Sequence, residues 1–172
     1  MPIYALGDVE PNISNDAFIH PEAVIIGAVT IGAGSSVWPC AVLRGDTNEI
    51  TVGERTSIQD GAVIHCTQDL ATTIGDDCTI GHNAHLEGCT IANFALVGSG
   101  ALVLHNVKVG SGALVAAGAL CAQGLVVPEN SLAIGVPARI KDGVADQQTM
   151  EYSRVSYQRL TQRYPQELRR ID

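Results

Sequence analysis

Residues 91–120 read IANFAL, VGSGAL, VLHNVK, VGSGAL and VAAGAL, five six-residue units without a gap. In each unit the first residue is aliphatic and the fifth is Ala or Val. This period is typical of a triangular parallel β-helix, in which three units make one coil and the aliphatic side chains stack inside. The alternative, an antiparallel sandwich, would not keep a six-residue period over about a hundred residues. The stretch therefore predicts an all-β solenoid.

The same period extends in both directions from this stretch. It begins at Ile19, is interrupted at about 45–51 and 67–73, and continues to about residue 142. We expect about seven coils in one domain over 1–142, with loops at the two interruptions. Over 143–172 the period is absent and the chain is polar and charged. Four larger side chains recur there at helical spacing, which predicts a C-terminal amphipathic α-helix: Met150, Tyr157, Leu160 and Tyr164.

The composition excludes some classes of binding partner and indicates the cellular compartment. The net charge of −8 disfavours nucleic acid and anionic membranes as partners, because few basic groups could neutralise phosphates. No apolar run approaches the ~20 residues of a membrane span, and the first residues lack the features of a signal peptide. The five cysteines include no C-x-x-C pair. We therefore expect reduced thiols and a cytoplasmic protein.

The phase of the period predicts a metal site. Units that begin at Leu43, Ile64 and Leu86 fall on one face, so the residues that follow them form an outward column: Arg44, His65 and Glu87. Adjacent rungs lie ~4.8 Å apart, so the last two could share a metal ion. His82 lies on the previous face, roughly 16 Å away along the strand. We expect it to reach the ion only from a neighbouring chain of a homotrimer.

Other polar residues are expected near this column or at a subunit interface. The two interruptions follow units of the same face, which predicts that Arg44, Asp46, Gln59 and Asp60 converge beside His65. An alternative role for Arg44 and Asp46 is a salt bridge across an interface. Two further residues are expected to be structural: Trp38 at the trimer interface and His105 as a surface histidine.

Several motifs resemble the γ-class carbonic anhydrases and their relatives. They are RGD at 44–46, IQDG at 58–61, VIHC at 63–66, TIGH at 79–82, GCTI at 88–91 and GVPAR at 135–139. The resemblance covers nearly the whole chain and implies a left-handed β-helix homotrimer with zinc, or iron, at subunit interfaces. The implied activity is reversible hydration of CO2 to bicarbonate by metal-bound hydroxide. Some relatives are thioesterases.

The resemblance also implies ligands and a departure from them. His65 matches the first metal ligand and His82 the second, from the adjacent subunit, whereas Glu87 stands where a third histidine is usual. Either Glu87 completes a two-His, one-carboxylate set, or His85 supplies the third ligand. Gln59 matches the residue that orients hydroxide or bicarbonate. Two alternatives to hydration remain open: an acyl-CoA thioesterase or acyltransferase, and a non-catalytic trimer that binds a metal or small ligand.

Overall fold

The structure, a computed structural model, describes residues 2–172 as a run of short strands followed by a helix, α1 (Gln147–Glu167). In chain order the strands are β1 (Ile3–Tyr4), β2 (Asn12–Ile13), β3 (Phe18–Ile19), β4 (Val24–Ile31), β5 (Ser36–Val37), β6 (Val42–Val52), β7 (Ser57–Ile58), β8 (Val63–His65), β9 (Thr72–Ile74), β10 (Thr79–Ile80), β11 (His85–Glu87), β12 (Thr90–Ile91), β13 (Leu96–Val97), β14 (Leu102–Val103), β15 (Lys108–Val109), β16 (Leu114–Val115), β17 (Leu120–Cys121), β18 (Val126–Val127), β19 (Leu132–Ile134) and β20 (Arg139–Lys141).

The strands stack in three parallel rows that form the faces of a solenoid of about 7 turns. The first row runs from the start of β4 through the start of β6 to β8, β11, β14 and β17. The second runs from β2 through the ends of β4 and β6 to β9, β12, β15 and β18. The third contains β3, β5, β7, β10, β13, β16 and β19, and β20 closes it as an antiparallel strand. The predicted parallel β-solenoid with a C-terminal helix is confirmed.

Aliphatic side chains fill the interior in three stacks, one for each row. Each inward residue sits directly above its counterpart in the preceding coil, so every coil buries the core of the next. Burial of one such side chain stabilises the fold by roughly 1.5–3 kcal/mol. Small residues occupy the corners, as the fifth position of the units predicted. On the corner before the first row they are Ala23, Ala41, Ala62, Ala84, Ala101 and Ala119.

The expected loop at 45–51 is wrong, because the chain stays extended there. Residues 42–52 form the single strand β6, which turns a corner of the solenoid. Gly27 pairs with Gly45 but Val29 pairs with Ile50, so residues 46–49 bulge outward opposite one residue of β4. The bulge takes up the extra residues, so the pairing of β6 with β4 shifts across it and is continuous on either side. The second interruption is a loop only over residues 66–71, before β9 begins.

Helix α1 packs on the third row. It begins after Asp146, whose carboxylate accepts a hydrogen bond from the backbone N–H of Thr149 at 3.1 Å. Its inner face carries the side chains that the helical spacing predicted, and Met150 is the most deeply buried of them. No helix of the described chain is both long and apolar enough to cross a membrane.

A buried carboxylate joins α1 to the solenoid. Asp77 is 7% exposed and accepts from the Arg55 guanidinium at 2.9 Å and from the Arg154 guanidinium of α1 at 3.2 Å. A carboxylate this deeply buried is stable only when it is paired and hydrogen-bonded, which the two guanidinium groups achieve together. The pairing therefore fixes α1 along the solenoid.

Trp38 does not face a neighbouring subunit, contrary to expectation. It is 3% exposed within the one chain and lies under α1, with its indole N–H 3.0 Å from the hydroxyl oxygens of Ser36 and Ser57. Its ring contacts Tyr164 at a centroid distance of 4.8 Å and Tyr157 at 5.3 Å. Since α1 covers this row, the single tryptophan docks the helix.

We expect Tyr164→Ala to loosen α1 without unfolding the solenoid. Tyr164 makes edge-to-face contacts with both Trp38 and Phe18, and aromatic pairs contribute about 0.5–1.5 kcal/mol each. A loss of about 2 kcal/mol would raise amide exchange in α1 about 30-fold. The matched control is Tyr152→Ala, because Tyr152 is 76% exposed on the same helix. Equal exchange rates in the two variants would contradict the docking role.

Candidate metal centre

Strand register places three polar side chains in one outward column on the first row. Arg44 pairs with His65 in the next coil, and His65 pairs with Glu87 in the coil after that. This is the column that the six-residue phase predicted. Each residue directly follows a buried aliphatic one, and the alternation along a strand turns it outward.

The imidazole of His65 lies between two carboxylates. Its Nδ1 is 2.7 Å from Glu87 Oε1 and its Nε2 is 2.9 Å from Asp46 Oδ1. A ring nitrogen that carries a proton donates to its carboxylate, so the two oxygens fix the orientation of the ring. The other oxygen of Asp46 is paired with Arg44 of the same chain. Asp46 thus reaches the column from the bulge of β6.

The two carboxylates are held in their charged form. Desolvation works against ionisation of Glu87, but the hydrogen bond with His65 and the attraction of His105 hold its pKa below the ordinary 4.5. Desolvation likewise opposes ionisation of Asp46, yet His65 and then Arg44 hold its pKa below the ordinary 3.8. Both groups are therefore available as anionic ligands at neutral pH.

His82 lies apart from the column, on the corner between the third row and the first. Its Nδ1 is 3.0 Å from Asp60 Oδ2, and its Nε2 is 3.2 Å from the Tyr157 hydroxyl of α1. Desolvation, together with the charge of Asp60, raises the pKa of Tyr157, so the phenol keeps its proton and can donate it in a hydrogen bond. The sequence did not indicate this contact, because α1 and residue 82 are far apart in the chain.

The second oxygen of Glu87 faces two more histidines. Its Oε2 is 3.2 Å from His105 Nε2 and 3.7 Å from His85 Nε2. The sequence position of His105 had suggested a plain surface histidine, but the structure places its ring against Glu87. Its side chain is partly exposed, yet the Nε2 atom is buried and makes no hydrogen bond within residues 2–172. The Glu87 carboxylate nevertheless lies close enough to attract this ring electrostatically.

The remaining predicted residues divide between the two places. Asp46 joins the column, whereas Asp60 contacts His82, so the expected convergence on one corner holds only in part. Gln59 is buried beside Asp60, and its backbone N–H donates to the carbonyl of Ile80 at 2.9 Å.

Cys66 provides the third donor of a compact group with Asp46 and His65, in which all ligand atoms lie within 4.8 Å of one another. However, its thiol is fully buried and donates to the carbonyl of Asn48 at 3.1 Å. We therefore take Cys66 as a core residue.

The donors of the column fit a zinc or iron ion. One imidazole and two carboxylates supply the nitrogen and oxygen atoms that both metals accept. Ligation through one ring nitrogen of His65 would replace the contact of that nitrogen with its carboxylate. A second imidazole is lacking on the His65 side of Glu87, because His82 of the same chain is held elsewhere. The half-site is suited to completion by another donor.

Fold and site together define a hexapeptide-repeat protein with a cluster of imidazoles and carboxylates on its outer face. The family model for the bacterial transferase hexapeptide (six repeats) matches residues 10–45. A Methanocaldococcus jannaschii protein described as "Probable carbonic anhydrase" is 47% identical over 128 residues, which are 74% of this chain and 80% of that protein. The chain belongs to the γ-class carbonic anhydrase-like family of hexapeptide-repeat proteins.

Two further similarities widen the comparison. The mitochondrial gamma carbonic anhydrase 2 of Arabidopsis thaliana is 39% identical over 152 residues, which are 85% of this chain but 55% of the plant protein. This chain therefore spans about half of that relative. A Bacillus cereus structure described as a candidate acetyltransferase superposes with a TM-score of 0.91 at 35% identity and covers 94% of this chain and 95% of its own.

In the metal-free protein we expect the Glu87 carboxyl to titrate below 4.5, as measured by ¹³C NMR of its side chain. A lowered folded pKa gives stability that is present above about pH 4.5 and is lost as the pH falls through the folded value. His65→Gln should move the midpoint upward, whereas His20→Gln, far from the column, should not. An unchanged midpoint in His65→Gln would show that His65 does not stabilise the charge.

Proposed function

We propose that this chain is the subunit of a metal-dependent hydratase of the γ-carbonic anhydrase type, which interconverts CO2 and bicarbonate. The observation that carries the proposal is the His65 imidazole between the ionised carboxylates of Asp46 and Glu87, which reach it from the coils on either side. A zinc or iron ion held there would supply the Lewis acidity that makes water a nucleophile near neutral pH. Family membership supports the same reaction.

The proposed site is completed by a second subunit. His82 stands at the corner that precedes the first row, and the column stands near the end of that row. His82 and the column thus lie at opposite edges of one face. When copies of the chain pack around a threefold axis, the His82 edge of one subunit meets the column edge of the next. The same face exposes apolar side chains in neighbouring coils, since Val63 is 38% and Leu102 41% exposed. Burial of these residues would favour the homotrimer.

The chain's own residues would position the reactants. Arg44 fixes the carboxylate of Asp46, which in turn would orient the His65 ring through Nε2. Asp60 engages Nδ1 of His82 and fixes the orientation of its ring. Tyr157 must move off Nε2 before that nitrogen can serve a neighbouring subunit. Gln59 would orient bicarbonate, as its counterpart does in the family.

A second candidate function is acyl transfer or hydrolysis of acyl-CoA on the same scaffold. The Bacillus cereus structure favours it, because it is described as a candidate acetyltransferase and is 35% identical. Saturable hydrolysis of acetyl-CoA that disappears in His65→Ala would support this candidate. The same assay is a control for the hydratase, which should leave acetyl-CoA intact.

We expect about one zinc or iron per chain after anaerobic purification, with loss of the metal in His65→Ala, Glu87→Ala and His82→Ala. Gel-filtered protein analysed by mass spectrometry gives the ratio. Mixed trimers of His65→Ala and His82→Ala chains should regain metal at about a quarter of the sites, because one intact donor then comes from each chain. A site contained in one chain would regain nothing on mixing.

Glu87 should weaken hydration at pH 7. A carboxylate in place of imidazole adds negative charge beside the reacting water and makes it less acidic. We expect Glu87→His to lower the midpoint of the pH–rate profile for CO2 hydration by about one unit and to raise kcat/KM at pH 7 about tenfold. Glu49→His in the bulge is the matched control. A parent midpoint well below 7 would contradict this account.

A further inference from the structure

Glu87 presents its two oxygens to two different sets of imidazoles. Oε1 faces His65, whereas Oε2 faces His85 and His105. A carboxylate can bind one cation through each oxygen and so bridge two ions about 3.5–4 Å apart. An imidazole at position 87, as is usual in the family, could not do this. Glutamate in place of histidine at position 87 therefore provides a ligand that can bridge two cations.

We propose that Glu87 Oε2, His85 and His105 form a second divalent-cation site beside the proposed metal centre. The site lies within one chain and is built from β11 and the turn after β14. Two imidazoles and one carboxylate are the ligand set of many zinc and iron sites. The cation would neutralise part of the negative charge of the chain, which is −8 overall.

The His105 ring supplies the strongest observation. Its Nε2 is buried and without a hydrogen-bond partner in the described chain, although it stands 3.2 Å from Oε2. Ligand atoms that surround one ion at about 2.0–2.1 Å in a tetrahedron lie about 3.3 Å from one another. The 3.2 Å separation of these two donor atoms is therefore compatible with a shared ion.

The His105 ring lies beside the glycine that follows Glu87. His105 passes over Gly88, where a Cβ would come within 3.5 Å of the imidazole Cδ2 and within 2.9 Å of Leu70. Gly88 also has a backbone φ of +60°, a value that residues other than glycine rarely adopt. A side chain at position 88 would thus collide with Leu70, whereas the His105 ring lies at ordinary contact distance from this glycine.

The second site closes around its ion. His85 Nε2 stands 3.7 Å from Oε2, within the range of ligand spacings, but the two imidazoles do not yet form a compact group. Among the described residues, only Asp46, His65 and Cys66 have all their donor atoms within 4.8 Å of one another. His85 and His105 are each partly exposed, so their rings can turn toward a cation at little cost.

The test is the stoichiometry of Co²⁺ binding to the trimer after chelation of its native metal. Equilibrium dialysis and the visible absorption of Co²⁺ report occupancy without any assay of activity. We expect about two Co²⁺ per chain in the parent and about one in His85→Asn and His105→Asn. His20→Asn is the matched control and should keep both ions, and circular dichroism checks that each variant is folded. Removal of His82 should cost only the first ion.

The outcomes separate this inference from the proposed function, with which it shares Glu87. One Co²⁺ per chain that is insensitive to His85→Asn and His105→Asn, but lost in His82→Ala, would overturn the second site and leave the first standing. One Co²⁺ per chain that depends on His105 and not on His82 would overturn the first site and leave the second standing. No Co²⁺ bound at any concentration tested would overturn both.

Discussion

The stacking of one aliphatic side chain on its counterpart one coil away is the interaction on which the rest of the structure depends. Because each stack must stay in line, the chain has to complete a coil after a fixed number of residues or absorb any excess outside the stack. That constraint fixes which side chains face outward in neighbouring coils. The column of Arg44, His65 and Glu87 is a consequence of packing on the inside of the solenoid, about one rung for each residue.

The chemistry of the column depends on what surrounds it. His65 alone would be an ordinary exposed imidazole, but Asp46 and Glu87 make it the centre of a small charged cluster. Asp46 arrives from a bulge and Glu87 from the regular coil, so two different kinds of backbone meet at one ring. Glu87 also touches His85 and His105, which links the cluster to the next coil. The cluster therefore combines two carboxylates with three imidazoles and one guanidinium in adjoining coils.

Much of this arrangement could be predicted from the sequence, because it depends on a period. The three rows, the buried corners and the column all follow from counting by six. The bulge could not be predicted in this way: residues 46–49 break the period, and whether they leave the strand depends on their pairing with β4. Contacts of α1 were equally inaccessible, since a helix does not share the register of the coils. Trp38 and Tyr157 were thus placed only by the folded structure.

The bulge in β6 also bears on how such a protein can change over time. Its residues lie outside the stacked core, and the segments of β6 on both sides of it pair continuously with β4. Insertions, deletions and substitutions there cost the fold little, yet each one alters what is presented to His65. A lineage can therefore exchange one reaction for another at this corner while its scaffold is inherited intact, and overall shape becomes a poor guide to the chemistry of any one descendant.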